Sequence, residues 1–265
     1  GLPMSDPAAA LAIVIEVVTS EEFLTAAAVG FVAQSIDGAL GMAYGISATT
    51  FLLGTGASPA VASASVHIAE IFTTGLSGLS HLRLGNVDRK LMLRLLVPGV
   101  IGGVLGALFV TQLDGAALKP WISGYLLLMG VYVLTKAWRH RRKPAQEPKH
   151  VAKLALFGGF VDAAGGGGWG PVVTTSLVGA GQDPRRTIGS VNFAEFFIAI
   201  ASAGAFVLFI DAAPWATVAG LVAGGMFAAP LAAFLCRALP ARALLVLVGT
   251  LISALSAYNL VKALG

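Results

Sequence analysis

Charge is what this 265-residue chain has least of: Asp, Glu, Lys and Arg together make up 11% of it. A soluble domain carries about 25%. With 57% hydrophobic residues, the chain cannot dress a water-soluble surface. The scarcity excludes a cytosolic enzyme, a nucleic-acid binder and a secreted scaffold. Cysteine is as scarce. The single Cys236 excludes an internal disulfide and any multi-cysteine metal site. A convincing signal peptide is missing too, because residues 1–20 have no basic leading region and Glu16 interrupts their apolar run. No G-x-x-x-x-G-K-[ST] loop occurs, so ATP is not the direct energy source. Neither a cofactor nor a metal is expected.

Long apolar stretches are plentiful. Residues 91–111, 120–138, 215–236 and 243–262 each have room for a spanning helix of about 20 residues. Segments 60–80 and 187–208 are long enough but carry polar side chains. Residues 22–56 and 151–181 are apolar, yet Gly-rich stretches cut each in two. These are Asp37-Gly38-Ala39-Leu40-Gly41-Met42-Ala43-Tyr44-Gly45 and Asp162-Ala163-Ala164-Gly165-Gly166-Gly167-Gly168-Trp169-Gly170. The resulting pieces, roughly 11–16 residues or 16–24 Å, fall short of a core about 30 Å thick. Each segment reads as a helical hairpin broken inside the membrane.

Basic residues orient the chain. Fifteen of the seventeen fall in four regions, around 81–94, 136–153, Arg185-Arg186 and Arg237–Arg242; Lys119 and Lys262 are the exceptions. The positive-inside rule places those regions in the cytoplasm, and both termini outside a bacterial inner membrane. Trp121 and Trp215 become interfacial anchors. The basic stretch 139–150, with Pro144 and Pro148, links two halves, 22–138 and 151–265, after an N-terminal extension of 1–21.

The halves repeat each other. A shift of 125 lays residues 37–70 on 162–195 without a gap, with 14 identities in 34 positions. Chance gives about 3, since common residues run near 10% each. Asp37 pairs with Asp162, Thr49-Thr50 with Thr174-Thr175, and Glu70 with Glu195. Segment 60–80 runs inward, because Arg83 follows it. Segment 187–208 runs outward, because Arg185 and Arg186 precede it. The expected fold is therefore an all-α polytopic membrane protein of two inverted repeats, each a Gly-broken hairpin plus three transmembrane helices. Such repeats belong to secondary transporters with a site near the midplane.

Only four of the thirteen acids sit within apolar segments, and these are the repeat pairs Asp37/Asp162 and Glu70/Glu195. Each costs about 2.5–3.5 kcal/mol at a helix centre unless protonated, paired or wet. Asp37 and Asp162, beside the breaks, are suited to a structural role in which they bond backbone amides freed there. Glu70 and Glu195, inside longer helices, suit proton coupling. His67 and its counterpart Asn192 each stand three residues before their Glu and share its face. His can change charge near neutral pH. Gly170-Pro171 starts a half-helix over 171–179, mirrored over 46–54. Two amino ends converging at midplane would offer partial positive charge to an anion. Gly45, Thr49, Thr50, His67, Gly170, Thr174, Thr175 and Asn192 are the expected binding residues. Gly99, Gly102, Gly103 and Gly106 read as helix-packing residues.

One further run carries a family likeness. The Gly-rich break is followed by a Pro-led helix containing Ser65-Val66, and then by Gly78-Leu79-Ser80-His81-Leu82-Arg83-Leu84-Gly85-Asn86. This arrangement, repeated more weakly in the second half, resembles the sulfite exporter TauE/SafE family, also called the toluene sulfonate uptake permease family, over about residues 22–262. The first half departs from it, with Leu40, Met42 and Ala43 where the second has Gly165, Gly167 and Gly168. The resemblance implies transport of small sulfur-containing anions such as sulfite, an organosulfonate or sulfoacetate. The expected partners are that anion and membrane lipid, not nucleic acid; a homo-oligomer fits the sequence equally. The rival readings are an anion channel and an intramembrane enzyme using Asp37 and Asp162 as a carboxylate pair.

Overall fold

The computed structural model describes residues 7–138, 150–210, 213–238 and 241–265, and every element among them is helical. The basic linker expected at 139–150 lies almost wholly outside the described residues. Helix α1 covers Pro7–Thr19, α2 Glu21–Leu40, α3 Tyr44–Thr55, α4 Pro59–Arg83, α5 Arg89–Thr111 and α6 Gly115–Lys136. The second half holds α7 at Val151–Gly165 and a wider π-turn at Gly170–Thr174 that runs on into α8 at Thr175–Gly179. It continues with α9 at Pro184–Val207, α10 at Trp215–Ala238 and α11 at Ala241–Leu264.

Local chemistry sets these starts. Ser58 accepts the Val61 N–H ahead of Pro59, and Asp183 accepts the Arg186 N–H ahead of Pro184. Pro fits there because a first-turn N–H has no partner inside the helix. Asp88 caps α5 and Asp114 caps α6 in the same manner.

Four helices among the described residues are long and apolar enough to cross a membrane: Arg89–Thr111, Gly115–Lys136, Pro184–Val207 and Leu245–Leu264. On α5 the residues Leu93, Val97, Ile101, Leu105 and Phe109 form an exposed stripe, while Leu91 and Leu95 are buried. In water such a stripe would be unfavourable; in a bilayer it faces lipid.

Both expected breaks are present. The α3 half-helix has 12 residues and α7 has 15. At 1.5 Å per residue they reach about 18 and 22 Å, short of the hydrocarbon core. The first arm differs from expectation, since α2 has 20 residues. It is longer because Ser20 accepts the Phe23 N–H and Glu21 and Glu22 occupy the first turn, where acids favour a helix start. The half-helix α3 also begins two residues earlier than expected, at Tyr44, for a reason that lies in the site.

The helices pair reciprocally. α2 packs along α10, and α7 packs along α5; α4 crosses α9, and α6 lies on α11. Under the 125-residue shift α2 becomes α7 and α5 becomes α10, so the α2–α10 and α5–α7 contacts exchange, while the α4–α9 and α6–α11 contacts map onto themselves. Small residues permit the approach: a β-carbon added at Gly102 would collide with the Leu156 carbonyl, and one at Gly224 with the Ala27 carbonyl.

Candidate functional site

The site is built at the two breaks. α2 ends on Gly41 at φ 65°, and α7 ends on Gly166 at φ 70°. Glycine enters this left-handed region without penalty and so turns the chain at a helix end. Four residues before each turn stands an aspartate that reaches across it. Asp37 Oδ1 accepts the Tyr44 N–H at 3.4 Å, and Asp162 Oδ1 accepts the Trp169 N–H at 2.9 Å. Each carboxylate therefore holds the first amide of the half-helix beyond its own break. That is why α3 starts at Tyr44.

The breaks then meet. A β-carbon added at Gly45 would lie 2.9 Å from Gly167 Cα and 3.0 Å from Glu70 Oε1. The first half also grips the second break by its carbonyls. Thr49 donates to Gly166 O, Ser63 Oγ donates to Ala163 O at 2.6 Å, and the Tyr125 hydroxyl donates to Gly167 O at 2.8 Å. In return Tyr44 donates to Leu221 O at 3.1 Å.

His67 is fully buried on α4. Its Nδ1 lies 2.8 Å from Ser63 O, and its Nε2 lies 3.3 Å from Asp162 Oδ2. One donor atom each from His67, Glu70 and Asp162 falls within 4.8 Å of the others. Glu195 is buried on α9. Thus Gly45, Thr49, His67, Glu70, Asp162 and Gly166 gather around one point.

The other expected residues have neighbours of their own. Thr50 donates back to Ile46 O at 2.6 Å, and its own carbonyl accepts from Asn259 on α11 at 3.0 Å. Asn192 donates to Ser77 Oγ at 3.0 Å on α4, and its Oδ1 is left unpartnered. Thr174 Oγ1 is buried without a partner. Thr175 accepts from Lys136 Nζ at 2.5 Å. Gly170 abuts Gly41 and Met42 of the first break.

Sequence reasoning missed four participants: Tyr44, Ser63, Tyr125 and Lys136. Ser63 carried a signal, since it stands four residues before His67 on the same helical face. Tyr44 did as well, because the shift of 125 lays it on another aromatic, Trp169. Tyr125 and Lys136 have no repeat counterpart of their type, and nothing local marks them. A separate open cavity of about 880 Å³ lies at the start of α2 and the end of α3, lined by Glu21, Glu22, Phe51, Thr55, Val61 and Thr217.

Helices broken at the centre of a bundle, with buried acids at the breaks, define the class: a multi-pass helical membrane protein of the kind that moves polar cargo. The chain belongs to the Sulfite exporter TauE/SafE family, which matches residues 26–259. It is 44% identical over 252 residues to the Probable membrane transporter protein YtnM of Bacillus subtilis (strain 168), covering 91% of this chain and 84% of that protein. No solved structure matches the chain. Family and relative both point to a membrane transporter rather than an enzyme.

Proposed function

We propose that this transporter is a secondary carrier of small sulfur-containing anions of the sulfite, organosulfonate or sulfoacetate type, working by alternating access with proton coupling through Glu70 and Glu195. The observation that carries the reading is the meeting of two repeated breaks, Gly45 against Gly167, with a buried carboxylate from each repeat pair beside them. A single polypeptide path would not need that arrangement; two halves moving about a shared site would. The name of the family supports the sulfur anion. The binding residues are Gly45, Thr49, Thr50, His67, Gly170, Thr174, Thr175 and Asn192. Lys136, whose ammonium meets Thr175, supplies the positive charge that the amino ends lack once Asp37 and Asp162 occupy their first amides.

The halves are inverted in this reading, with both termini outside the inner membrane and the 139–150 stretch in the cytoplasm. With Cys236 replaced, cysteines at Gln146 and Gly115 test it: an impermeant reagent applied to intact cells should label Gly115→Cys and spare Gln146→Cys. The opposite pattern reverses the topology.

Purified protein in liposomes tests the cargo. Sulfite, sulfonates, sulfate and thiosulfate are offered with and without a proton gradient. A carrier shows saturable flux and counter-transport, and Glu70→Gln or Glu195→Gln should flatten the pH dependence while exchange persists. Flux without counter-transport identifies a channel instead. Turnover of substrate without any gradient would restore the enzyme reading, against which both aspartates already serve as helix caps.

A further inference from the structure

The His67–Asp162 contact joins the two halves, and its hydrogen count is constrained by its neighbours. Ser63 O can only accept, so His67 Nδ1 at 2.8 Å carries a hydrogen. Trp169 N–H occupies Asp162 Oδ1, which leaves Oδ2 to face His67 Nε2 at 3.3 Å. With neither atom protonated, two lone pairs would face each other in a buried space. One proton between them satisfies both, whether it is drawn as imidazolium with carboxylate or as imidazole with carboxylic acid. The mirror position cannot do this. Asn192 stands where His67 does and its amide bonds Ser77, and among the described residues Asp37 has no basic group in ion-pair contact.

We propose that His67 and Asp162 hold one shared proton across the contact between the halves, and that this proton is the one Glu70 and Glu195 exchange with water in the coupled cycle. The proposal rests on the transporter reading. The proton enters from water on one side and latches the halves at this point. Its release to the other side leaves two acceptors opposed, so the contact opens. The mirror contact stays neutral through the cycle, and one proton moves rather than two. The titratable groups that surround the pair are Glu70 on the same helix, Asp37 on α2, Tyr44 on α3, Tyr125 on α6 and Glu195 on α9.

The test does not require transport. The protein has four histidines, so 15N-histidine labelling in lipid bilayers gives few signals. The imidazole signals absent from His67→Asn belong to His67. Between about pH 5 and 8, the range over which histidines commonly titrate, its Nε2 should report a hydrogen-bonded proton that disappears in Asp162→Asn and persists in Glu70→Gln. A bare Nε2 in the wild type, indifferent to Asp162→Asn, overturns the proposal. So does a stoichiometric metal ion that survives chelation of the purified protein. In liposomes with sulfite as probe, His67→Asn should lower the ratio of gradient-driven flux to exchange about tenfold, the scale of one charge-assisted hydrogen bond. Should the wild type move no sulfite, the cargo assignment fails while the nitrogen spectra still decide the proton.

Discussion

The two breaks share a backbone plan and differ in what surrounds it. Residues 37–45 turn through Gly41 at φ 65° and then Ala43 at φ 102°, a left-handed conformation held by an alanine. Residues 162–170 turn through Gly166 and Gly167, at φ 70° and 148°. Asp37 holds its amide at 3.4 Å with one oxygen left over, whereas Asp162 holds its amide at 2.9 Å and meets His67 with the other. Thr49, Ser63 and Tyr125 all fasten the second break. Repetition has therefore kept the turn and divided the labour. The first break is strained and lightly tied. The second is unstrained, tied from three helices of the other half, and joined to the histidine.

Five variants press on that difference, in descending order of effect. Gly167→Ala combines a positive φ with a β-carbon that would strike the Gly45–Ile46 backbone. Its cost should exceed about 4 kcal/mol, the range reserved for severe core defects, and it should show as loss of monodisperse protein in detergent. Next come the aspartates. Asp162→Ala removes one member of a buried pair and should cost roughly 3–5 kcal/mol, while Asp37→Ala removes a cap and should cost about 0.5–2 kcal/mol. Thermal melting of the two side by side measures the asymmetry, and equal losses would erase it. Thr174→Val with Thr175→Val keeps shape and removes the Lys136 partner. It should leave melting near wild type and weaken sulfite affinity several-fold, since a hydrogen bond to a charged group contributes about 1.5–3 kcal/mol. Unchanged affinity places the cargo elsewhere. Ala43→Gly has the smallest effect and the opposite sign. Relief of a left-handed alanine is worth roughly 1–2 kcal/mol, offset by about 0.5–1 kcal/mol of glycine entropy, so melting should rise slightly.

Much of this was legible in the sequence because it is local. The αL turns follow from Gly41 and Gly166, and the caps follow from aspartates standing beside amides freed by the breaks. The spans 91–111 and 187–208 followed from apolar length alone. What sequence could not supply was distance in space. His67 and Asp162 lie 95 positions apart, and no spacing rule connects them. Lys136 was indistinguishable from the orienting charges beside it until α8 came near. Thr50 and Thr175 look equivalent under the repeat, yet one faces Asn259 and the other a lysine, because α6 and α11 differ at the contact. The length of α2 was missed because its start depends on Ser20 rather than on any apolar period.

The reciprocal pairing also governs how such a chain is made. α2 is covered by α10, some 175 residues downstream, and α5 waits for α7. At synthesis rates of about 5–20 residues per second, the first hairpin spends roughly 10–35 s in the translocon or bilayer with Gln34 and Asp37 lacking their final surroundings. Neither half can complete its own interior, so quality control has to judge the whole product rather than its parts. Two polypeptides split within 139–149 should be degraded when expressed singly and should accumulate together when both are present.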